Sequence, residues 1–400
     1  MLQYWKHYLQ RLLGVRLNRH QSAHPNPYPR TTCLTNVYVI GGLTAMLTPI
    51  AFGIIIFLLL SAWLIPHYAV HYMTRSKCST YERCLEMLEQ QGVFTREQFE
   101  ACRKEEVTIR SHDGIKLHGY YMEKFPNSRR IALIVHGYTG ALPWSAQFMD
   151  MFTEQGFNVL LIDQRRHGQS EGKYTTFGYK EKYDVQMWVD WIVERKGKDC
   201  IIGLHGQSLG GGTVLEYAAI RRPQVQFIVA DCPYSDLTQL IHYQVTKLNQ
   251  MPAWPTMALI NRLLLSKAGF RMEQVSPLRI MKTCPLPVLF IHGKEDRFVP
   301  TWMSEQLHEA KHDTSSLILI EGAGHGTAYS VDQERYRQGV TTFIQTTVGS
   351  PNHEEVAEPL SDAVQDTVEV VEEPSSVLEP GIDLIPDLVP AEADNMLPVI

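Results

Sequence analysis

Eight short runs of apolar and β-branched residues alternate with longer helical patterns through the centre of this 400-residue chain. Some runs, such as IALIV at residues 131–135 and NVLLI at residues 158–162, contain almost no polar residue. A run of this kind is typical of a strand that is buried on both faces of a parallel sheet. The predicted strands are residues 107–110, 117–122, 131–136, 158–163, 201–205, 227–231, 288–292 and 317–320.

Helical patterns fill the gaps between the predicted strands. Alternation of this kind indicates an α/β fold in which helices cover both faces of a mostly parallel sheet, with function at the carboxyl ends of the strands. The first two strands are joined by His112-Asp113-Gly114, a hairpin signal. The connection between the sixth and seventh strands is too long for a bare loop, and we expect residues 234–284 to form a small helical cap over the site.

Residues 37–66 contain no charged side chain. A membrane-spanning helix needs about 20 apolar residues, so this segment predicts a single transmembrane helix with aromatic residues near its ends. It follows a basic head, residues 1–36, and precedes residues 67–104, which we interpret as stalk helices. Thr95 with Gln98 three positions later predicts a capping box in the second of these.

Charge is distributed unevenly along the chain. Residues 1–350 carry all 37 Lys and Arg but only 30 of the 43 Asp and Glu, so residues 349–400 form an acidic tail that we expect to be disordered. The central body is nearly neutral, which argues against a nucleic-acid partner. The basic head favours a catalytic domain outside the cytoplasm, although the charges nearest the span almost balance.

Seven cysteines are scattered through the sequence, without a metal-binding C-x-x-C pair. The simplest interpretation is that most of them are unpaired. One disulfide among Cys78, Cys84 and Cys102 stays open as an alternative if that side of the membrane is oxidising.

The motif G-x-S-x-G occurs at residues 206–210, between the fifth predicted strand and a helix. This context places a serine on a tight turn above the sheet, where Ser208 would act as a nucleophile. His325 lies in a glycine-flanked loop after the last strand and is our candidate general base. Asp296 follows the seventh strand and is the candidate acid, with Asp231 as its rival.

A serine nucleophile also needs donors for an oxyanion. We expect the backbone N–H groups of Leu209, directly after the nucleophile, and Tyr138, after the third strand, to supply them. Trp144, Tyr234 and Trp254 are candidate lining residues of a substrate pocket, although simple packing explains them equally well.

The motifs HGYTG, DQRRHGQSEG, GQSLGG, HGKEDRFVP and GAGHG together resemble the α/β-hydrolase superfamily over residues 107–343. The resemblance points to its serine aminopeptidase S33, or hydrolase-4-like, branch and to membrane-anchored bacterial members. It implies an eight-stranded, mostly parallel sheet with an antiparallel second strand, and a triad of Ser208, Asp296 and His325. Asp163, Arg165, Gly168 and Ser170 match a motif of that branch, which we interpret as a structural loop.

The expected function is hydrolysis of an ester or related acyl bond in a small or lipid-like substrate through an acyl-enzyme, with no metal or organic cofactor. The same triad would also serve an acyltransferase, a thioesterase or a peptidase. A non-catalytic membrane-anchored binding protein is the alternative of a different class. The oligomeric state and the substrate are not encoded in any motif of the chain.

Overall fold

The computed structural model describes residues 32–311, 314–352 and 356, with side chains described from residue 47 onward except at Leu58. The strands are β1 Glu105–Arg110, β2 Lys116–Met122, β3 Arg130–Val135, β4 Asn158–Ile162, β5 Ile201–Gln207, β6 Val225–Asp231, β7 Val288–Gly293 and β8 Ser315–Ile320. The α-helices are α1 Thr32–Arg75, α2 Tyr81–Gln90, α3 Arg96–Ala101, α4 Met149–Thr153, α5 Glu181–Lys196, α6 Leu209–Tyr217, α7 Leu237–Tyr243, α8 Ala253–Ala268, α9 Pro277–Met281, α10 Trp302–Lys311, α11 Ala328–Val331 and α12 Gln333–Val348.

All eight strands form one sheet in the order β1-β2-β4-β3-β5-β6-β7-β8. Strand β2 pairs antiparallel with both β1 and β4, while the remaining pairs are parallel. The eight strands and the antiparallel second strand are therefore confirmed. Because the parallel strands run in one direction, the loops after β3, β5, β6, β7 and β8 meet at one edge of the sheet.

Two apolar clusters cover the two faces of the sheet. Strand β3 shows the alternation, because Ala132 and Ile134 belong to one cluster while Ile131, Leu133 and Val135 belong to the other. All six β3 residues are buried, which explains why the strand is apolar after its first residue.

Helix α3 has the predicted capping box of Thr95 with Gln98, and α2 is capped by Thr80, which accepts a bond from Arg83 N. Their packing corrects the stalk interpretation. Leu88 and Phe99 are buried in the same apolar cluster as the sheet. These helices are part of the folded body because their apolar face needs the sheet to cover it.

Helix α1 contains a stretch, Leu47–Arg75, that is long and apolar enough to cross a membrane. The described side chains of residues 47–60 are exposed, as a lipid-facing helix requires. From Ala62 onward the chain belongs to the same compact unit as the sheet. Most of the predicted basic head and acidic tail lies outside the described residues.

The connection between β6 and β7 is helical, as expected for the predicted cap. It contains α7, a π-helical turn at Gln244–Leu248, α8 and α9. Leu237, Ile241, Ile260 and Leu264 from this segment form a third apolar cluster together with Val70 and Met73 of α1.

The cysteines with described side chains, Cys78, Cys84 and Cys102 among them, are not joined by disulfides. The alternative of a disulfide among these three has no counterpart in the structure. Cys33 lies among the residues whose side chains are outside the described part.

Candidate active site

Ser208 occupies the sharp turn between β5 and α6. Its φ of 54° and ψ of −112° lie outside the conformations that a non-glycine residue normally adopts. The turn is held by backbone bonds on both sides, from Ser208 N to Asp231 O at 2.7 Å and from Gly212 N to Ser208 O at 2.9 Å. Because hydrogen bonds hold the backbone of Ser208 from both sides, its strained conformation can persist.

The glycines two positions either side of Ser208 are required by close backbone approach. A Cβ atom on Gly206 would lie 2.3 Å from Gly210 O, and one on Gly210 would lie 2.1 Å from Val135 O. Since real Cβ atoms do not approach so closely, a side chain at either position would displace the turn.

His325 lies in the loop between β8 and α11, facing the serine. Its Nε2 is 2.8 Å from Ser208 Oγ, and its Nδ1 is 2.6 Å from Asp296 Oδ2. A carboxylate only accepts hydrogen bonds, so Nδ1 carries the proton and Nε2 is free to accept from the serine hydroxyl. The structure brings together all three residues that the sequence predicted.

Asp296 is buried, and its two oxygens are fully engaged. Oδ1 accepts from Phe298 N at 2.9 Å and Val299 N at 2.8 Å, while His292 Nε2 lies 3.2 Å from Oδ2. Burial alone would raise the pKa of Asp296, but the bonds from His292 and His325 outweigh it and hold the pKa well below its usual value. The carboxylate therefore stays charged.

The two expected oxyanion donors lie in the loops that flank Ser208. Leu209 is the first residue of α6, so its N–H has no acceptor within the helix. Gly137 packs against the serine from the β3 side, where a Cβ would be 3.5 Å from Ser208 Cβ. Tyr138 follows directly and shares a cavity with Ser208 and Leu209.

That cavity measures about 860 Å³, counting its open mouth. Its walls come from the cap, from the loops around Ser208 and from α1. The lining residues that the structure describes include no charged side chain. They are Ala69, Tyr72, Met73, Tyr138, Phe177, Ser208, Leu209, Tyr234, Leu240, Ile241, Gln244, Val245, Leu248, Asn249, Ile260, Phe298 and Val299.

Known proteins are similar to this chain in sequence and in fold. YqkD, an uncharacterised protein of Bacillus subtilis (strain 168), is 32% identical over 275 residues, which cover 68% of this chain and 90% of YqkD. YfhR of Escherichia coli (strain K12) is 26% identical over 257 residues, covering 62% and 83%. The family described as serine aminopeptidase, S33, matches residues 126–279. The Pyrococcus furiosus esterase Pf2001 has a TM-score of 0.51 at 23% identity, covering 64% of this chain and 97% of Pf2001.

The chain belongs to the α/β-hydrolase superfamily. The eight-stranded, mostly parallel sheet and the antiparallel β2 are those that the resemblance implied. The superfamily identifies the chain as a hydrolase, while the bond that it cleaves is a separate question.

Asp231, the rival acid, has a different role in this α/β-hydrolase. Its Oδ2 accepts from Gln207 Nε2 at 2.9 Å, and Trp144 Nε1 donates to Gln207 Oε1 at 2.6 Å. Burial raises the pKa of Asp231 to about 6, with the Gln207 bond opposing the rise. Asp231 thus fixes the residue before the serine, and Asp296 is the carboxylate bonded to His325.

The other histidines at the ends of strands are packed into the body. His205 lies 3.0 Å from the Tyr336 hydroxyl, and burial lowers its pKa to about 3. Burial also lowers the pKa of His136, whose Nε2 accepts from Gln164 N at 3.1 Å. His292 is the exception, because it supports Asp296 and lies 2.7 Å from Ser304 Oγ. Sequence reasoning missed this role.

One of the three predicted pocket residues lines the cavity in the structure, and the other two lie elsewhere. Tyr234 lines the cavity, and its hydroxyl donates to Phe177 O at 2.7 Å. Trp144 and Trp254 are not among the described lining residues. Trp144 instead orients Gln207, and Trp254 is 81% exposed on the cap. These two predictions are corrected, because an aromatic residue near a motif need not face the motif.

Asp163 organises the loop that the sequence matched to the superfamily motif. Its buried carboxylate accepts from Leu142 N at 2.8 Å and Gln169 N at 2.9 Å. Gly168 leaves room for that carboxylate, since a Cβ there would lie 2.2 Å from it. Arg165 forms an ion pair with Asp184, and Ser170 Oγ donates to Asp163 O at 2.8 Å. This loop is therefore structural.

Among the described residues, one group has metal-ligand geometry: Cys232, Asp296 and His325 have ligand atoms within 4.8 Å of one another. Asp296 and His325 already bond each other. Burial raises the pKa of Cys232 well above its usual value, so the thiol stays protonated and is a poor metal ligand.

Proposed function

We propose that the protein is a membrane-anchored serine hydrolase that cleaves carboxylic esters through Ser208, His325 and Asp296. The observation that carries this proposal is the continuous chain of short contacts from Ser208 Oγ through His325 to Asp296. The uncharged cavity beside Ser208 favours an acyl group over a charged peptide.

In this mechanism His325 removes the proton from Ser208 as the hydroxyl oxygen attacks the ester carbonyl. The imidazolium that forms is stabilised by Asp296, which stays ionised because its hydrogen bonds keep its pKa low. The same histidine then protonates the leaving alcohol, and the acyl group remains on Ser208.

The tetrahedral oxyanion would be bound by the N–H groups of Leu209 and Tyr138. Deacylation repeats these steps with water as the nucleophile, and His325 deprotonates the water for attack on the acyl-enzyme. Removing one oxyanion donor typically lowers turnover by about 10²–10³-fold.

The decisive experiment is labelling of the full chain in detergent with a fluorophosphonate, followed by peptide mapping. We expect the label on Ser208 and a loss in the variant Ser208→Ala, with turnover of p-nitrophenyl acetate lowered by about 10⁶-fold or to background. Labelling elsewhere, or activity in Ser208→Ala near that of the natural chain, would refute the assignment. A competing alcohol acceptor separates hydrolysis from acyl transfer, because transfer gives a new ester.

We also propose that the catalytic domain lies outside the cytoplasm. The basic head supports this orientation through the preference of Lys and Arg for the cytoplasmic side. Protease added to intact cells should then degrade the domain while a cytoplasmic marker survives. Degradation only after lysis would reverse the orientation and leave the chemistry unaffected.

A further inference from the structure

The last turns of α1 have one face against the hydrolase body. Ala69, Val70, Met73 and Thr74 are buried, at the spacing of one helical face. On the other side, Tyr68 is 61% exposed. The apolar stretch of the helix therefore leads directly into a segment that is packed on the enzyme.

This segment is fixed to the loops around the active site by hydrogen bonds. The hydroxyl of Tyr138 donates to Tyr72 O, and Thr175 N donates to Thr74 O at 3.0 Å. Ser79 N donates to Thr139 O at 2.7 Å. The helix end is thus attached to the same loop that supplies the proposed oxyanion donor.

Ala69, Tyr72 and Met73 line the cavity that contains Ser208. At a rise of about 1.5 Å per residue, Ala69 lies only about 4.5 Å along the helix from Pro66, where the predicted span ends. Trp63 and Tyr68 are exposed on either side of Pro66, and such aromatic side chains favour the membrane–water interface. With the bilayer around the predicted span of residues 37–66, the cavity wall would begin close to the membrane surface.

Opposite the helix, the cap closes the cavity with Ile241, Val245 and Ile260. A chain of methylene groups fits these walls, because burial of each CH₂ away from water is favourable and no lining charge has to be desolvated. A lipid that moves from the bilayer exchanges one apolar environment for another, so its chain can enter without a large free-energy change.

We propose that the substrate is an ester of a lipid in the same membrane, whose acyl chain lies against Ala69 and Met73. This inference rests on the proposed ester hydrolysis at Ser208 and adds the source of the substrate. The anchor then has two functions, since it holds the enzyme at the bilayer and also forms a wall of the acyl site.

The acyl-site wall formed by Ala69 and Met73 is tested with the variant Met73→Trp, in which the larger side chain fills the cavity. Activity is measured on the full chain in detergent. We expect turnover of 4-methylumbelliferyl palmitate to fall at least about tenfold relative to the acetate, corresponding to about 1.4 kcal/mol. His71→Trp is the matched control, because His71 is exposed on the same helix and is not among the lining residues. This control variant should leave the ratio of palmitate turnover to acetate turnover unchanged.

Met73→Ala provides a second variant that enlarges the cavity, in case tryptophan disturbs folding. We expect it to change the chain-length profile relative to the natural chain while fluorophosphonate still labels Ser208. An unchanged profile in a labelled Met73→Ala variant overturns the acyl-wall proposal. Absence of labelling in the natural chain would instead refute the proposed function.

The source of the lipid is tested with phosphatidylcholine vesicles that contain the full chain. The ester 4-methylumbelliferyl palmitate is placed either in these vesicles or in separate vesicles mixed with them. We expect hydrolysis in the shared membrane to be faster by at least about tenfold, a difference of about 1.4 kcal/mol. Equal rates would show that the ester reaches Ser208 through water.

Discussion

The two sides of Ser208 are built from different kinds of residues. On one side, polar side chains from the loops after β7 and β8 meet at fixed distances, with His325 between Ser208 and Asp296. On the other side, apolar side chains from the cap and from α1 surround a cavity. Polar contacts require one geometry, whereas an apolar wall requires only suitable volume and position. The residues of the polar side are therefore easier to predict from the sequence than those of the apolar side.

The largest expected effect concerns the polar side. Asp296→Asn should lower turnover of p-nitrophenyl acetate by about 10⁴-fold, because an amide no longer holds His325 in the tautomer that accepts the serine proton. Steady-state kinetics of the full chain in detergent measures this effect.

Asp231→Asn is the matched control for that variant, since both replace a buried carboxylate behind the serine. Asp231 bonds Gln207 rather than His325, so we expect a loss of no more than about tenfold, or about 1.4 kcal/mol. An equal loss in both variants would mean that the polar side is not organised around Asp296.

The next effect concerns the apolar side and the end of α1. Deleting residues 1–73 removes Ala69, Val70 and Met73 from their cluster, whereas deleting residues 1–61 retains all three. Loss of a large buried apolar side chain costs about 2–5 kcal/mol, so the longer deletion should lower Tm by at least about 10 °C relative to the shorter one.

Thermal unfolding of both deletions in the same detergent, together with fluorophosphonate labelling, compares them directly. Equal Tm values and equal labelling would show that the helix end is not part of the folded enzyme. That result would restore the stalk interpretation for residues 67–73.

The sequence predicted all eight strands and the three residues that the structure brings together after β5, β7 and β8. The strand prediction is confirmed, and the three residues could be located in the sequence, because continuous apolar runs and glycine-flanked loops are local patterns. The role of His292 could not be predicted in the same way, since it depends on a contact with Asp296 in the folded loop. The cavity wall was missed because Ala69 and Met73 differ from other apolar helix residues only in what they contact.

A smaller effect concerns the free energy of unfolding and its dependence on the protonation of Asp231. The raised pKa of Asp231, about 6, means that the folded protein binds a proton more tightly than the unfolded chain. This contribution to stability is complete below pH 4 and is lost as the pH rises towards 6 and above.

At pH 8 the buried charge should therefore destabilise the natural chain by about 3 kcal/mol, taking about 1.4 kcal/mol for each pKa unit. Asp231→Asn should be more stable than the natural chain at pH 8 and should lose this advantage at pH 4. Denaturant unfolding at the two pH values measures the difference. A variant that is less stable at pH 8 would show that the carboxylate is stabilised by its surroundings when charged.

The smallest expected effect distinguishes the cavity from the outer surface of the cap. Trp254 lies at the start of α8, and Ile260 of the same helix lines the cavity, yet Trp254 itself is 81% exposed. We expect Trp254→Ala to change turnover of acetate and palmitate esters in detergent by less than about twofold, since surface substitutions usually have effects within about 0.5 kcal/mol. Leu248→Trp, which narrows the cavity from the same cap, should lower palmitate turnover relative to acetate. If Trp254→Ala lowers palmitate turnover as strongly as Leu248→Trp does, the acyl path extends over the cap surface, and the original prediction of Trp254 as a pocket residue regains support.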